Sequence, residues 1–168
     1  MKVSVIIPAW NAARTLVRAV ESVQRQTYPD WELLLVDNRS TDETPALMRQ
    51  LVAADATGRT RFLSEARPGA SHARNLGLAN ATGTWMQFLD ADDELLPHKF
   101  AHQLTHLPPG PEWIISGYRV DDPTGLLGDV PPHPDPWRGL VHGFRIGYTS
   151  SNLYHRRALE RIGGWDVF

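Results

Sequence analysis

Cysteine is absent from the 168 residues. That excludes disulfides, thiolate zinc sites and cysteine nucleophiles, and it permits a reducing compartment without requiring one. No apolar run approaches the length needed to cross a bilayer. The start, Met1 to Pro8, holds one lysine and a very short apolar run ending in proline, which reads as a first strand and not as a signal peptide. A cytoplasmic protein is therefore expected, with any membrane contact peripheral. A dominant charge is also missing: the formal net charge is −2, and the basic residues are scattered, so neither nucleic acid nor an anionic membrane surface is indicated as a partner. Internal repeats and low-complexity tails are lacking too. What is present is an ordinary globular composition, 42% hydrophobic, in a chain long enough for one domain with a substantial core.

Along the chain, apolar runs of strand length alternate with segments of helical periodicity. Val3-Ser4-Val5-Ile6-Ile7 is a β-branched strand stopped by Pro8, and Leu16, Val20 and Val23 mark one face of a helix that Asn11 is placed to cap. Tyr28-Pro29-Asp30 breaks it. Leu33-Leu34-Leu35-Val36 is a second strand ending on Asp37-Asn38, and Ser40-Thr41-Asp42-Glu43 has capping-box spacing for a helix that buries Leu47 and Leu51. Arg61-Phe62-Leu63-Ser64 reads as a third strand, Arg67-Pro68-Gly69-Ala70 as a turn, and Ser71 as the cap of a helix through Ala73, Leu76 and Ala79. Gly83 precedes a fourth strand, Thr84-Trp85-Met86-Gln87-Phe88-Leu89. Strands this apolar have no face to show to water, so a doubly wound α/β arrangement is expected, with helices on both faces of a mostly parallel sheet. Further on, a helix through Phe100 and Leu104 and a strand at Trp113-Ile114-Ile115 are expected, then a long proline- and glycine-rich loop or flap over Asp121–Arg138. Val141–Tyr154 is ambiguous between strand and helix. Arg156–Ile162 reads as a short helix ended by Gly163-Gly164.

Phe88-Leu89-Asp90-Ala91-Asp92-Asp93 delivers three carboxylates where the fourth strand leaves the sheet. In extended backbone Asp90 and Asp92 point the same way, and like charges ~6–7 Å apart repel by roughly 2–3 kcal/mol at an effective dielectric of about 20. A cation between them relieves the repulsion, and oxygen ligands suit Mg²⁺ or Mn²⁺. The plainer alternative is that Asp92 or Asp93 caps the helix that Pro97 helps to open, a contribution of about 1 kcal/mol. Pro8–Asn11, Asp37–Ser40 and Asp90–Asp93 are all loops at the carboxyl ends of strands, the rim where ligands bind in such sheets. Trp10 is either a packing residue or a stacking platform, and Asp37 either a ligand contact or an acceptor for nearby loop amides. Arg74, within a helix, is a solvated or structural side chain on its own pattern. His72, His142 and His155 are given no role.

Taken in order, Val3-Ser4-Val5-Ile6-Ile7-Pro8-Ala9-Trp10-Asn11, Trp31-Glu32-Leu33-Leu34-Leu35-Val36-Asp37-Asn38-Arg39-Ser40-Thr41-Asp42, Ser71-His72-Ala73-Arg74-Asn75-Leu76-Gly77 and Phe88-Leu89-Asp90-Ala91-Asp92-Asp93 closely resemble family 2 glycosyltransferases of the GT-A fold. The likeness returns at Leu153–Asp166. It implies a Rossmann-like α/β three-layer sandwich around a central, mostly parallel sheet. Within one domain, residues 1–107 would form the nucleotide-sugar-binding half and 108–168 part of the acceptor side, with the loop 121–138 in it. The implied activity is inverting transfer of a sugar from a nucleotide-diphosphate donor, UDP by the family's habit, to a glycan or lipid-linked acceptor, with Mn²⁺ or Mg²⁺. In such proteins the stretch like Pro8-Ala9-Trp10-Asn11 lies along the nucleoside, and acids like Asp37 and its successor Asn38 hold the base. Asp90, with Ala91 beside it, resembles the ribose or phosphate contact, Asp92 resembles the metal ligand, and Arg74 would assist the phosphates.

Two departures from the family pattern matter. Members commonly carry Asp-Asp-Gly-Ser where this chain has Asp37-Asn38-Arg39-Ser40. Asn38 keeps an amide oxygen able to accept a proton from a pyrimidine base but loses the charge, and its NH₂ adds a donor. Arg39 in place of glycine implies either that the loop needs no positive φ there or that it carries a penalty of about 1 kcal/mol. The second departure is the general base. An inverting transfer needs one within reach of the acceptor hydroxyl, and in the family it lies in an acidic pair past the Gly-Gly-aromatic-Asp segment, where no residue of this chain matches. A C-terminally truncated glycosyltransferase is the leading expectation, and a non-catalytic nucleotide-sugar-binding module the alternative. A nucleotidyltransferase would favour a glycine-rich, lysine-bearing loop after the first strand, and Ala9–Thr15 has none.

Overall fold

The computed structural model describes residues 1–105, 107, 110, 112–120, 128–132 and 148–167. The chain runs β1 (Val3–Ala9), α1 (Leu16–Gln24), β2 (Trp31–Asp37), α2 (Thr44–Ala54), β3 (Thr60–Ser64), α3 (Ala70–Asn80) and β4 (Trp85–Phe88). It continues with α4 (Lys99–Thr105), β5 (Trp113–Ile114), β6 (Tyr118–Val120), β7 (Gly128–Val130), β8 (Leu153–His155) and α5 (Arg156–Ile162). Among the described residues, six strands form one sheet in the order β3-β2-β1-β4-β8-β5, and β6 and β7 pair as a separate hairpin. The first four are mutually parallel, whereas β8 is antiparallel to both its neighbours. The expected α/β arrangement with a mostly parallel sheet is therefore the observed one.

The apolar runs explain this layering. β1 and β2 are buried along their whole length, which only a sheet covered on both faces provides. Val3, Val5, Ile7, Leu33 and Leu35 pack on one face with Leu16, Val20 and Val23 of α1, Met48 of α2 and Phe100 of α4. Ile6, Leu34, Val36, Met86 and Phe88 pack on the other with Ala73 of α3 and Leu159 of α5. From β1 the chain winds outward to β2 and β3 and then returns to β4 on the far side of β1. This reversal at β1 is the topological switch point, and it opens a crevice at the strands' carboxyl ends.

Several local expectations are corrected. Asn11 does not cap α1, since Thr15 stands at that N-cap; Asn11 sits at φ 50° and turns its side chain toward the loop before α2. The capping box before α2 is not formed either: Glu43 is the N-cap, and Asp42 Oδ1 accepts from the Thr44 N–H at 3.0 Å. Gly69, at φ 119°, replaces Ser71 as N-cap of α3, and Gly77 rather than the exposed Ala79 completes its buried face. Asp92 and Asp93 lie well before α4 and do not cap it. Part of the expected 121–138 loop is ordered as β7, paired with β6, because a strand partner outweighs local composition there. Residues 121–127 and 133–138 lie outside the described residues, as do 141–147, where His142 falls. The ambiguous 141–154 segment resolves where it is described, as a short 3₁₀ turn at Thr149–Ser151 followed by the start of β8. α5 ends as expected, with Gly163 left-handed at φ 80° and the Gly164 N–H reaching Leu159 O at 2.9 Å.

Two close approaches fix the sheet. At the end remote from the crevice, Glu32 is only 6% exposed. It accepts from Ser4 Oγ at 2.6 Å, the Thr82 N–H at 2.6 Å and Thr82 Oγ1 at 2.8 Å, with Lys2 Nζ at 3.4 Å. Burial pushes its carboxyl up, but the Ser4 and Thr82 hydrogen bonds and the Lys2 charge outweigh it and hold the group at about 2. On the α3 side, a Cβ at Gly77 would run into Ile6 Cγ2 and lie 3.1 Å from Ile6 Cγ1.

Because the folded carboxyl titrates below its ordinary 4.5, Glu32 contributes stability that is complete above that value and lost as pH falls toward about 2. Acid denaturation of Glu32→Gln is expected to show a shallower loss across that window than the parent protein. Gly77→Ala is expected to lower stability by about 1–3 kcal/mol through overpacking against Ile6, exceeding its gain of about 1 kcal/mol in helix propensity. Urea unfolding measures the difference, and a stabilised variant would contradict the close packing of α3 on β1.

Candidate functional site

The crevice at the switch point holds a cleft of about 540 Å³, lined by Pro8, Ala9 and Trp10 from the end of β1, Asn38, Arg39 and Thr41 from the end of β2, and Pro68, Gly69 and Ala70 from the entry to α3. Trp10 is 68% exposed, immediately after a buried strand. Four of the residues singled out in the sequence, Pro8, Ala9, Trp10 and Asn38, thus meet in one cavity. Asn11 and Asp37 do not line it. Asn11 Oδ1 accepts from the Thr41 N–H at 2.8 Å and the Asp42 N–H at 3.3 Å, while its own N–H donates to Ser40 Oγ at 2.9 Å. Asp37 is buried beneath the rim and accepts from the Ser40 N–H at 3.2 Å, the loop-amide role that its position allowed.

Asn38 is almost fully buried and stitches the two walls of the cleft together. Its Nδ2 donates to Arg67 O at 2.6 Å and to Glu65 O at 3.4 Å, and its Oδ1 accepts from the Gly69 N–H at 2.8 Å. An aspartate could accept from Gly69 but would set its second oxygen against two carbonyls. This accounts for an amide where the resembled family commonly has an acid. The 65–69 loop is stiffened further by Arg67, whose Nε and Nη2 fork the Glu65 carboxylate at 3.0 and 2.8 Å and hold that carboxyl down at about 2.

One strand spacing beyond β1, about 4.8 Å, the β4 end carries the acids. They do not continue the strand. The Asp93 N–H donates to Asp90 O at 3.0 Å, closing a turn, so the extended geometry that would align Asp90 with Asp92 is absent. Each acid has a different setting. Asp92 is exposed. Asp90, with its side chain 39% exposed, accepts from Arg74 Nη2 at 2.8 Å. Asp93 turns inward, where it accepts from Ser150 Oγ at 2.5 Å; burial, joined by the charges of Asp90 and Asp92, pushes its carboxyl up against the lowering effect of that bond. The acid loop rests on a buried polar network: the Asp90 N–H donates to Ser150 Oγ at 3.2 Å, and Gln87 Nε2 donates to Ser150 O at 2.9 Å. Lys99 contacts Gln87 Oε1 and donates to Gln103 Oε1 at 2.9 Å, and desolvation lowers its amine to about 7.

Arg74 is not a solvated helix residue. Its side chain is 15% exposed, and its guanidinium lies 4.8 Å from the Trp165 ring centroid while it pairs with Asp90. Trp165 is held in turn by Asn75, which accepts from its N–H and donates to its carbonyl, both at 2.8 Å. Gly164, at φ 87°, makes that approach possible, because a Cβ there would lie 2.6 Å from Asn75 Oδ1. His155 caps α5 through Nδ1 and packs edge-on to Trp85. Arg39, Thr41, Pro68, Gly69 and Ala70 line the cleft without having been singled out as ligand contacts. The Pro68-Gly69 turn was the one signal pointing to that wall, and nothing in its pattern says which residues it faces.

Among the described residues, no three carboxylate or imidazole groups gather closely enough to hold one metal ion by themselves, and no helix is long and apolar enough to cross a membrane.

The family model "Glycosyl transferase family 2" matches residues 4–163. An uncharacterized glycosyltransferase of Nostoc sp. is 44% identical over 127 residues, 76% of this chain and 36% of that protein. The Escherichia coli UDP-Glc:alpha-D-GlcNAc-diphosphoundecaprenol beta-1,3-glucosyltransferase WfgD is 32% identical over 148 residues, 86% of this chain and 57% of that protein. Among solved structures, the mannosyltransferase PcManGT from Pyrobaculum calidifontis, in complex with GDP-Man and Mn²⁺, superposes with a TM-score of 0.76 at 23% identity, covering 98% of this chain and 47% of that one. S. aureus TarS in complex with UDP-GlcNAc gives 0.67 at 18% identity, covering 98% and 48%. At these identities the structural likeness shows the fold, which is GT-A. The chain spans between about a third and just over half of the length of these relatives.

Asn38→Asp, which restores the acid common in the resembled family, is expected to lose about 1–3 kcal/mol of stability by leaving the Glu65 and Arg67 carbonyls without their donor. It should also speed amide hydrogen exchange across residues 65–69. Unchanged unfolding and exchange would refute the bridging role.

Proposed function

The chain belongs to glycosyl transferase family 2, and from that membership we propose that it holds a nucleoside diphosphate sugar across the ends of β2, β1 and β4 and takes part in transferring the sugar to a glycan or lipid-linked acceptor. The observation that carries the reading is the adjacency of an open cleft over β1 and β2 to a carboxylate turn on the next strand, at the switch point of the sheet. In this reading the nucleoside lies in the cleft against Trp10, and the diphosphate extends over β1 toward Asp90 and Asp92. Residues 108–168 contribute to the acceptor side.

The acids fit a Mn²⁺ or Mg²⁺ ion. Such ions are commonly bound by one or two carboxylates, with phosphate and water oxygens completing the shell, and this suits an exposed Asp92 beside a half-exposed Asp90 better than it would suit a closed protein cage. When bound, the cation neutralises charge developing on the leaving diphosphate. Arg74 supports the same end of the donor: held against Trp165, its guanidinium fixes Asp90 and offers positive charge to phosphate oxygens. Asn38 keeps the nucleoside walls at a fixed separation. The E. coli relative is named for UDP-Glc and the Pyrobaculum structure for GDP-Man, so a nucleoside diphosphate sugar is common to both while the base differs. UDP is the family's usual donor nucleotide, but Asn38 in place of the acid removes the charge that would face a uracil, so this reading commits to a nucleoside diphosphate sugar and not to its base.

Asp92→Ala is expected to weaken Mn²⁺-dependent binding of a nucleotide-sugar donor by about tenfold or more, while circular dichroism and melting stay unchanged. Titration calorimetry with and without Mn²⁺ reads this, and full retention of the metal-dependent affinity would sink the role of Asp92. Metal-dependent binding with neither transfer nor donor hydrolysis would identify a donor-binding module instead.

A further inference from the structure

Among the described residues, positive φ outside glycine occurs at Asn11, 50°, and Arg39, 63°. Both flank the cleft, but they differ in what offsets the strain. Asn11 is a residue type that tolerates this region, and its side chain collects two backbone N–H groups of the neighbouring loop. Arg39 has no such compensation: among the described residues its side chain has neither a hydrogen-bond nor an ion-pair partner, and it is exposed. The bonds of Asn38 and Ser40 on either side hold the left-handed turn, but among the described residues nothing engages the arginine placed in it. An exposed, strained arginine on the wall of a ligand cleft points to a contact made with the ligand.

Its place in the cleft narrows the contact. The acids follow β4, on one side of β1, and Arg39 follows β2, on the other. A donor whose diphosphate lies at the acids therefore brings its nucleoside end toward Arg39. Arg39 is the charged residue of the cleft lining, because Asp37 is buried below the rim on the Ser40 N–H and the Asn38 amide is engaged with Glu65, Arg67 and Gly69. With no carboxylate among the described residues that line the cavity, the base meets a guanidinium whose paired N–H groups match two adjacent acceptors. Guanine offers O6 and N7, and cytosine offers O2 and N3. Uracil interposes its N3–H between two carbonyls, and adenine places an amino group beside each ring acceptor on its exposed edges, so both set a donor against the fork.

Resting on the donor-binding reading above, we infer that Arg39 selects the nucleotide base, and that the cleft prefers a nucleoside diphosphate whose base presents two adjacent acceptors over UDP and ADP.

The test is competition of GDP, CDP, UDP and ADP, each with Mn²⁺, for the purified chain and for Arg39→Gly and Arg39→Lys, by titration calorimetry. In the parent protein GDP or CDP is expected to bind about tenfold or more tightly than UDP and ADP, the tighter of the two identifying a purine or a pyrimidine edge. Arg39→Gly should bring all four within roughly threefold of one another, with a melting temperature unchanged or raised because glycine relieves the backbone. Arg39→Lys, which keeps the charge but loses the fork, should also lose most of the preference. UDP or ADP binding tightest in the parent, or the preference surviving in Arg39→Gly, overturns the inference while leaving donor binding intact. Binding of none of the four overturns the donor-binding reading and the inference with it.

Discussion

The constraint on which the rest of the molecule depends is the two-sided burial of β1. It has β2 on one edge, β4 on the other and helices over both faces, so its backbone groups are satisfied by the two ladders and its side chains are removed from water. The chain can turn functional only where the ladders stop. Exposure rises from 3% at Ala9 to 68% at Trp10 within a single residue. The same transition occurs beyond β2, between buried Asn38 and exposed Arg39, and beyond β4, between buried Leu89 and exposed Asp92. Three strands ending side by side therefore produce one rim of polar and aromatic groups on a rigid floor, although the contributing segments are far apart in sequence.

Just past the ladders two backbone bonds, the Asn38 N–H to Ala9 O and the Glu65 N–H to Asp37 O, both at 2.8 Å, extend the pairing, and farther out asparagine side chains tie the rim loops together. Asn11 ties the β1 loop to the segment before α2, Asn38 ties the β2 loop to the entry of α3, and Asn75 ties α3 to Trp165. A carboxamide suits this because it carries a donor and an acceptor on one planar group and so imitates a peptide bond; a carboxylate of the same shape supplies only acceptors. The Asn75 pair, reciprocal at 2.8 Å in both directions, is in effect an isolated rung of a ladder between segments 90 residues apart. Through it the 163–166 segment brings an aromatic ring under Arg74, and through Arg74 to Asp90.

These roles divide what the sequence discloses from what it does not. The order of the first four strands and the helices between them was legible because continuous apolar runs such as Leu33-Leu34-Leu35-Val36 admit one environment, a sheet covered on both faces, whereas β6, β7 and β8 have no such run. The rim loops were legible as a group because each follows a strand. Caps were not: Asn11, Ser40 and Ser71 all have capping chemistry at capping spacing, but partners on other loops claim Asn11 and Ser40, and Gly69 enters α3 by its backbone alone. The glycine-for-arginine exchange at position 39 left two outcomes open in sequence, and the left-handed φ of 63° decides for the strained one. The pairing of Arg74 with Asp90 and Trp165 was out of reach, because periodicity identifies the face of a helix but not what a distant segment lays against it.

The acid turn also reverses a simple electrostatic expectation. Three carboxylates on an extended strand would repel one another and require a cation to relieve them. The turn instead gives each a separate environment: Asp93 is withdrawn onto Ser150, Asp90 is matched by Arg74, and Asp92 alone is left in solvent. The repulsion that remains falls on Asp93, whose carboxyl the charges of Asp90 and Asp92 help to push up, and Arg74 offsets part of it at Asp90. In the proposed reading a cation meets one open carboxylate and one that already shares a guanidinium, too few ligands for tight binding alone. A bound diphosphate would supply the missing oxygens and have its own charge neutralised. Donor and cation would then each raise the other's affinity by the same factor, as linkage requires. On the proposed reading, a turn that separates its acids would favour joint binding of metal and donor over occupation by the metal alone.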